Sequence, residues 1–209
     1  EEQAQRVKDF MNYQIVHVME EFDEELDQML FYLPLAGSAF KKVYYDETLG
    51  RAVSKFVAPE DLIVPYYTTD LESCPRITNV VKMPENEVRK LQAIGFYRKV
   101  DIDTGEEPDM YSEAKEEINK LSGMEPSYDD GEVSILYEVH CNLDIDGFED
   151  TDENGELTGV KLTYIVTIDS GSNEILSNRR NFQEQDPMKN KIEYFVQLKF
   201  LPGLGFYGF

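Results

Sequence analysis

Val133-Ser134-Ile135-Leu136-Tyr137-Glu138-Val139-His140-Cys141-Asn142-Leu143 decides the fold class of this chain. Apolar residues at the odd positions alternate with mostly polar ones between them, the period of a strand with one face in a core. The same period returns in Val160, Leu162, Tyr164, Val166 and Ile168, and again in Ile192, Tyr194, Val196, Leu198 and Phe200. A weaker strand, Glu174 to Phe182, lies between the last two, after the turn residues Ser170-Gly171-Ser172-Asn173. Residues 132–202 are therefore predicted to form an antiparallel meander, with His140 on the face opposite Cys141.

Outward from this block, Pro84-Glu85-Asn86-Glu87 opens a helix with Pro in its first turn and acids beside it, and Gly95 is its expected stop. A second short charged helix is predicted over Ser112 to Leu121, between acidic loops at Asp101 to Pro108 and Glu125 to Gly131, so 84–122 reads as short helices. Residues 38–83 read as β-rich. Phe40 to Tyr45, the turn Asp46 to Gly50, and Arg51 to Val57 form a hairpin, and short strands follow at Leu62 to Val64 and Arg76 to Met83 among Pro59, Pro65 and Pro75. In 1–33, Val7, Phe10 or Met11, Ile15, Val18, Phe22, Leu26 and Met29 recur three or four apart. That spacing predicts one long amphipathic helix from about Gln3 to Phe31, ended by Pro34 and Gly37 and facing a core along its stripe. Its length also suits a subunit contact. The expected class is α+β: a long N-terminal helix plus antiparallel hairpins and meander with short helices, in a single segment 1–209.

At 209 residues and 41% hydrophobic, the chain can bury a core, and 13 Tyr and 12 Phe without Trp make aromatic packing a large part of it. Its 42 acidic against 20 basic residues leave a formal charge of −22, which repels phosphate and anionic membrane surfaces and excludes a tight DNA-binding groove. A geometrically matched subunit contact stays open. No apolar run approaches the ~20 residues of a bilayer-spanning helix, so none is expected. Cys74 and Cys141 have neither disulfide-framework nor metal spacing, and a reducing, intracellular setting is the expectation. The apolar, glycine-punctuated end Phe200 to Phe209, and an opening at Glu1 that enters a helical pattern directly, read as the edges of a piece of a longer protein.

Asp150-Thr151-Asp152-Glu153-Asn154-Gly155-Glu156 carries oxygen ligands at the first, third and fifth positions of an EF-hand loop and Gly at the sixth, but Lys161 stands where the bidentate carboxylate belongs. An acidic hairpin turning at Asn154-Gly155 is favoured over a calcium site. Gly203-Leu204-Gly205-Phe206-Tyr207-Gly208 satisfies G-x-G-x-x-G after a strand, yet no helix follows, so a nucleotide site is disfavoured. His17 and His140 lack a visible triad or metal partner, and neither cysteine has an activating neighbour. Arg179-Arg180-Asn181 with Lys189-Asn190-Lys191 is the one concentrated basic segment, read first as locally paired and second as a docking site for an acidic surface. No catalytic residue, cofactor site or metal ligand set is assigned.

Three blocks carry a resemblance. Leu30-Phe31-Tyr32-Leu33-Pro34-Leu35-Ala36-Gly37-Ser38-Ala39-Phe40-Lys41-Lys42-Val43-Tyr44-Tyr45-Asp46 with Pro59-Glu60-Asp61-Leu62 and Asp70-Leu71-Glu72-Ser73-Cys74-Pro75-Arg76, then Met83 to Leu91, then Tyr164 to Asp169, Arg179-Arg180-Asn181 and Phe200 to Gly208, resemble the portal protein of short-tailed double-stranded DNA phages and related prophages, in the same order. The resemblance is weakest at 101–131 and 146–158. It implies an internal, wing-region portion of a dodecameric ring at one capsid vertex, which terminase feeds with DNA and which later anchors the tail. Capsid, terminase and tail or adaptor proteins would be partners, DNA would pass without specific binding, and the setting would be the virion and the host cytoplasm during assembly. It implies no catalytic residue. The rival reading is an acidic cation-binding β module built on Asp150 to Glu156; a nucleotide-binding fragment rests only on the terminal glycines.

Overall fold

A computed structural model describes residues 2–103, 117, 120–121, 123, 133–151, 154–201, 203 and 205–207. The charged helix expected at Ser112 to Leu121 and the loop at Glu125 to Gly131 lie almost wholly outside them. The chain divides into two compact units, one of Glu1–Pro59, Thr69–Glu72 and Glu193–Phe209, the other of Glu60–Thr68 and Ser73–Ile192. The class is α+β, as the alternating and helical patterns predict.

In the first unit the expected long helix is broken. Helix α1, Glu2–Tyr13, runs into a π-turn, Gln14–Val18, and stops at Met19 (φ −88°, ψ 78°), before helix α2 starts afresh at Phe22–Ala36. Electrostatics explains the break. Glu20, Glu21, Asp23, Glu24 and Glu25 would repel one another three and four apart inside one helix, but are favourable at a helix N-terminus. Gly37 ends α2 in the left-handed region (φ 76°), donating its N–H to the Leu33 carbonyl at 3.0 Å. Pro34 lies inside the helix instead of ending it.

Strands β1, Ser38–Asp46, and β2, Arg51–Val57, form the expected hairpin, in the register Phe40 to Val57 through Asp46 to Arg51. Asp46 shapes its turn, accepting from the Thr48 and Leu49 N–H groups at 2.9 and 3.2 Å, with Gly50 at φ 65°. β2 is an edge strand, and α2 covers that edge through two carboxylates one helical turn apart. Glu21 accepts from the Ser54 N–H at 3.2 Å and Glu25 from the Phe56 N–H at 2.5 Å. The i, i+4 rise of a helix, about 6 Å, matches the i, i+2 rise of a strand, so successive outward N–H groups each meet one acid. Below this contact Lys41 is buried, its Nζ 4.2 Å from the Phe22 ring centre. Burial pushes its pKa down, and Glu25 and Glu21 oppose that shift.

The second unit holds a five-stranded antiparallel sheet in the order β3-β4-β5-β6-β7, with β3 Leu62–Ile63, β4 Arg76–Pro84, β5 Val133–Leu143, β6 Leu162–Asp169 and β7 Ile175–Arg180. Helix α3, Glu85–Ala93, follows β4 and ends before Gly95 at φ 82°. Two expectations need correction. The strand predicted at 192–200 leaves the meander: β8, Phe195–Lys199, pairs with β1 in the first unit, making the order β2-β1-β8. The central strands are also covered on both faces, not one. Ile135 packs with Val80 on one side, while Leu136, fully buried on the other, packs with Val88, Tyr97 and Leu176.

Candidate functional site

Burial of the second face of the sheet forces its polar residues to find partners inside the protein. Asn79, Glu138, Thr167 and Ser177 stand opposite one another on β4, β5, β6 and β7, so they form one row across the sheet. The Ser177 hydroxyl lies 3.1 Å from Thr167 Oγ1, and His140 Nε2 lies 2.8 Å from Glu138 Oε1. Tyr97 closes over the row. Burial raises its pKa and the Glu138 charge adds to this, while Arg179 and a hydrogen bond with Thr167 work the other way, so the phenol stays neutral. Tyr97, His140, Thr167 and Ser177 are each more than nine-tenths buried. Alternation alone gave no sign of the row, because it read Glu138 and His140 as a solvent-facing stripe.

The sequence-selected features fall elsewhere. Asp150 in the EF-hand-like loop accepts from Thr158 Oγ1 at 2.6 Å through one oxygen and from the Lys189 ammonium through the other, which holds its pKa below the ordinary carboxyl range, chiefly through the Lys189 hydrogen bond. Thr151 and Leu157 bridge as a hairpin, with Gly155 at φ 81°, as the Asn-Gly turn predicts. Asp152 and Glu153 lie outside the described residues, and among the described residues no three His, Cys, Asp or Glu side chains are grouped to hold a metal.

The basic segment is locally engaged. Arg179 stacks over Phe96 at 4.5 Å, Arg180 pairs with Glu184, and Lys189 pairs with Asp150. His17 is exposed and packs its ring 5.4 Å from that of Tyr13. Cys74 donates to the Arg76 carbonyl at 3.0 Å, and burial raises the Cys141 pKa against the nearby Arg76 charge. In the terminal glycine run, Phe206 stacks on Phe40 with centroids 5.7 Å apart, and its carbonyl accepts from Gln197 at 2.6 Å. Phe206 thus belongs to the core of the first unit, while Gly205 beside it is exposed; Leu204 and Gly208 lie outside the described residues.

The first unit also presents apolar surface on its helices. No residue of α1 or its π-turn is buried; Val7, Phe10, Met11 and Val16 are 58, 60, 51 and 67% exposed. On α2, Met29 is buried inward while Leu30, Phe31 and Leu35 face outward. No protein-family model matches the chain, and no curated protein matches it.

Proposed function

We propose that this chain is a structural, non-catalytic, oligomerising segment of a portal-type ring, the head-to-tail connector through which phage DNA is packaged and ejected. The support is twofold: the portal-like blocks in the sequence, and the outward apolar side chains of α1 and α2. The observation that carries the oligomerising part is the exposure of Phe10 and Met11 on α1 and of Leu30 and Phe31 on the acidic helix α2. The rival cation-binding module finds no support in Asp150, whose two oxygens are occupied by Lys189 and Thr158.

Light scattering across a concentration series, combined with negative-stain images, tests the reading. The expected result is concentration-dependent mass above the monomer, with closed rings among the larger species. A strict monomer at every concentration, or assemblies that never close, would overturn it.

A further inference from the structure

We propose that Glu21, Glu25 and Lys41 form an acid-sensitive latch, which holds α2 on the edge of β2 and releases it when the two carboxylates take up protons. The first observation is how α2 is held. Glu21 accepts from the Ser54 N–H at 3.2 Å and Glu25 from the Phe56 N–H at 2.5 Å, so two charges stand where a neighbouring strand would supply carbonyls. Apolar contact adds less to the hold. Met29 is the one buried residue of α2, and Tyr32 lies against Phe56 with ring centres 5.3 Å apart.

The second observation is what lies beneath the two acids. Lys41 of β1 is 8% exposed, its ammonium stands over the Phe22 ring of α2, and among the described residues it has no hydrogen-bond partner. A cation buried in this way is tolerated only while opposite charge stands close to it, and Glu25 and Glu21 are the charges that act on it. Arg51 of β2 is the other cation facing the pair, hydrogen-bonded to Glu21. The remaining charged groups nearby are turned away or engaged. Lys55 on β2 and Glu20, Asp23, Glu24 and Asp27 on or beside α2 are exposed, Lys42 lies over the Tyr44 and Phe195 rings, and Asp46 is taken up by its own turn.

Acid therefore acts twice. It removes the charge from the carboxylates that grip the β2 amides, and it leaves Lys41, which keeps its proton, as a buried cation without a counter-charge. That ammonium regains water if α2 lifts, while β1 stays paired with β2 and β8. The folded pKa of Glu21 lies below its ordinary 4.5, so its part of the hold is complete at neutral pH and is lost as pH falls through the lowered value.

Native-state amide exchange, read residue by residue as protection factors, tests the latch. Between pH 7 and about pH 3.5 the Ser54 and Phe56 amides are expected to lose protection at least about tenfold. The Val43 amide, bonded to the Tyr194 carbonyl at 2.8 Å across β1 and β8, is expected to keep its protection. Glu21→Gln with Glu25→Gln should produce the same loss at pH 7, since glutamine keeps the acceptor and removes the charge. Adding Lys41→Met to that pair is expected to restore protection, and Lys41→Met alone to keep α2 seated in acid. Amides protected equally at both pH values, a double variant that stays closed at pH 7, or a triple variant that stays open would overturn the proposal. Loss at Val43 together with Ser54 and Phe56 would overturn it too, because the whole sheet would then open and α2 would have no release of its own.

Discussion

Glu21 holds a position where one carboxylate serves two elements. Its oxygens accept from Arg51 at 2.5 Å and from the Ser54 N–H at 3.2 Å, and its side chain is 19% exposed. Burial alone would raise its pKa; hydrogen bonds from its own backbone N–H, Arg51 and Ser54, with the Arg51 charge, outweigh burial and lower it. A group whose folded pKa is depressed contributes stability above its unfolded value, 4.5, and loses it as pH falls through the lower folded value. Glu21→Gln is therefore expected to cost about 1–2 kcal/mol at pH 7, after allowance for partial exposure. Melting curves from pH 7 downward should show the gap between wild type and variant closing below pH 4.5. A gap independent of pH would mean that the carboxylate contributes only through its shape. At the other end of the chain, Gly171 sits against the 101–103 segment, which Asp169 fastens by accepting from the Asp103 N–H at 3.1 Å and from the Ser172 N–H and hydroxyl at 3.0 and 2.6 Å. A Cβ at Gly171 would meet the Asp103 carbonyl oxygen at 2.5 Å. Because that neighbour is backbone and cannot swing aside, Gly171→Ala is expected to cost about 1–3 kcal/mol, read as a fall in Tm of several degrees.

At the scale of elements, the two-sided burial of β5 sets the largest single effect. Leu136 is 0% exposed and is enclosed by Val88 of α3, Tyr97 and Leu176 of β7. Leu136→Ala is expected to destabilise by roughly 2–5 kcal/mol, and Ser134→Ala on the same strand, a buried hydroxyl without a partner, by far less. Chemical denaturation of both variants checks the contrast. The sequence made most of these elements legible, since β1, β2, β4, α3, β5, β6 and β7 follow from period, turn residues and capping glycines that act locally. What it hid was long-range. Alternation in β5 reports the chemistry of each face, not whether α3 and Tyr97 come to cover the polar one. The apolar period across residues 7–29 continues through Met19 without a pause, so only the repulsion among Glu20, Glu21, Glu24 and Glu25 signals the break, and only the edge of β2 shows what those acids hold. The pairing of β8 with β1 joins residues some 150 positions apart, which no local pattern encodes. The candidate contact surface was half legible: the α1 stripe was visible as a stripe, but read as core-facing.

The charge of −22 acts on the whole molecule and opposes the association that the helices favour. The exposed apolar side chains of α1 and α2, such as Phe10, Met11, Leu30 and Phe31, favour contact through an effect that does not depend on charge. Against them stands the mutual repulsion of two chains that each carry a large net negative charge, a long-range term that salt weakens as the Debye length falls from about 30 Å at 0.01 M to about 8 Å at 0.15 M. Screening therefore removes much of the repulsion and leaves the apolar attraction in place. Raising NaCl from 0.01 to 0.15 M is accordingly expected to strengthen self-association by on the order of tenfold. Sedimentation at several salt concentrations separates the two terms. If association weakens with salt, ion pairs across the contact outweigh the net repulsion; if it strengthens, the exposed apolar side chains drive contact against that repulsion.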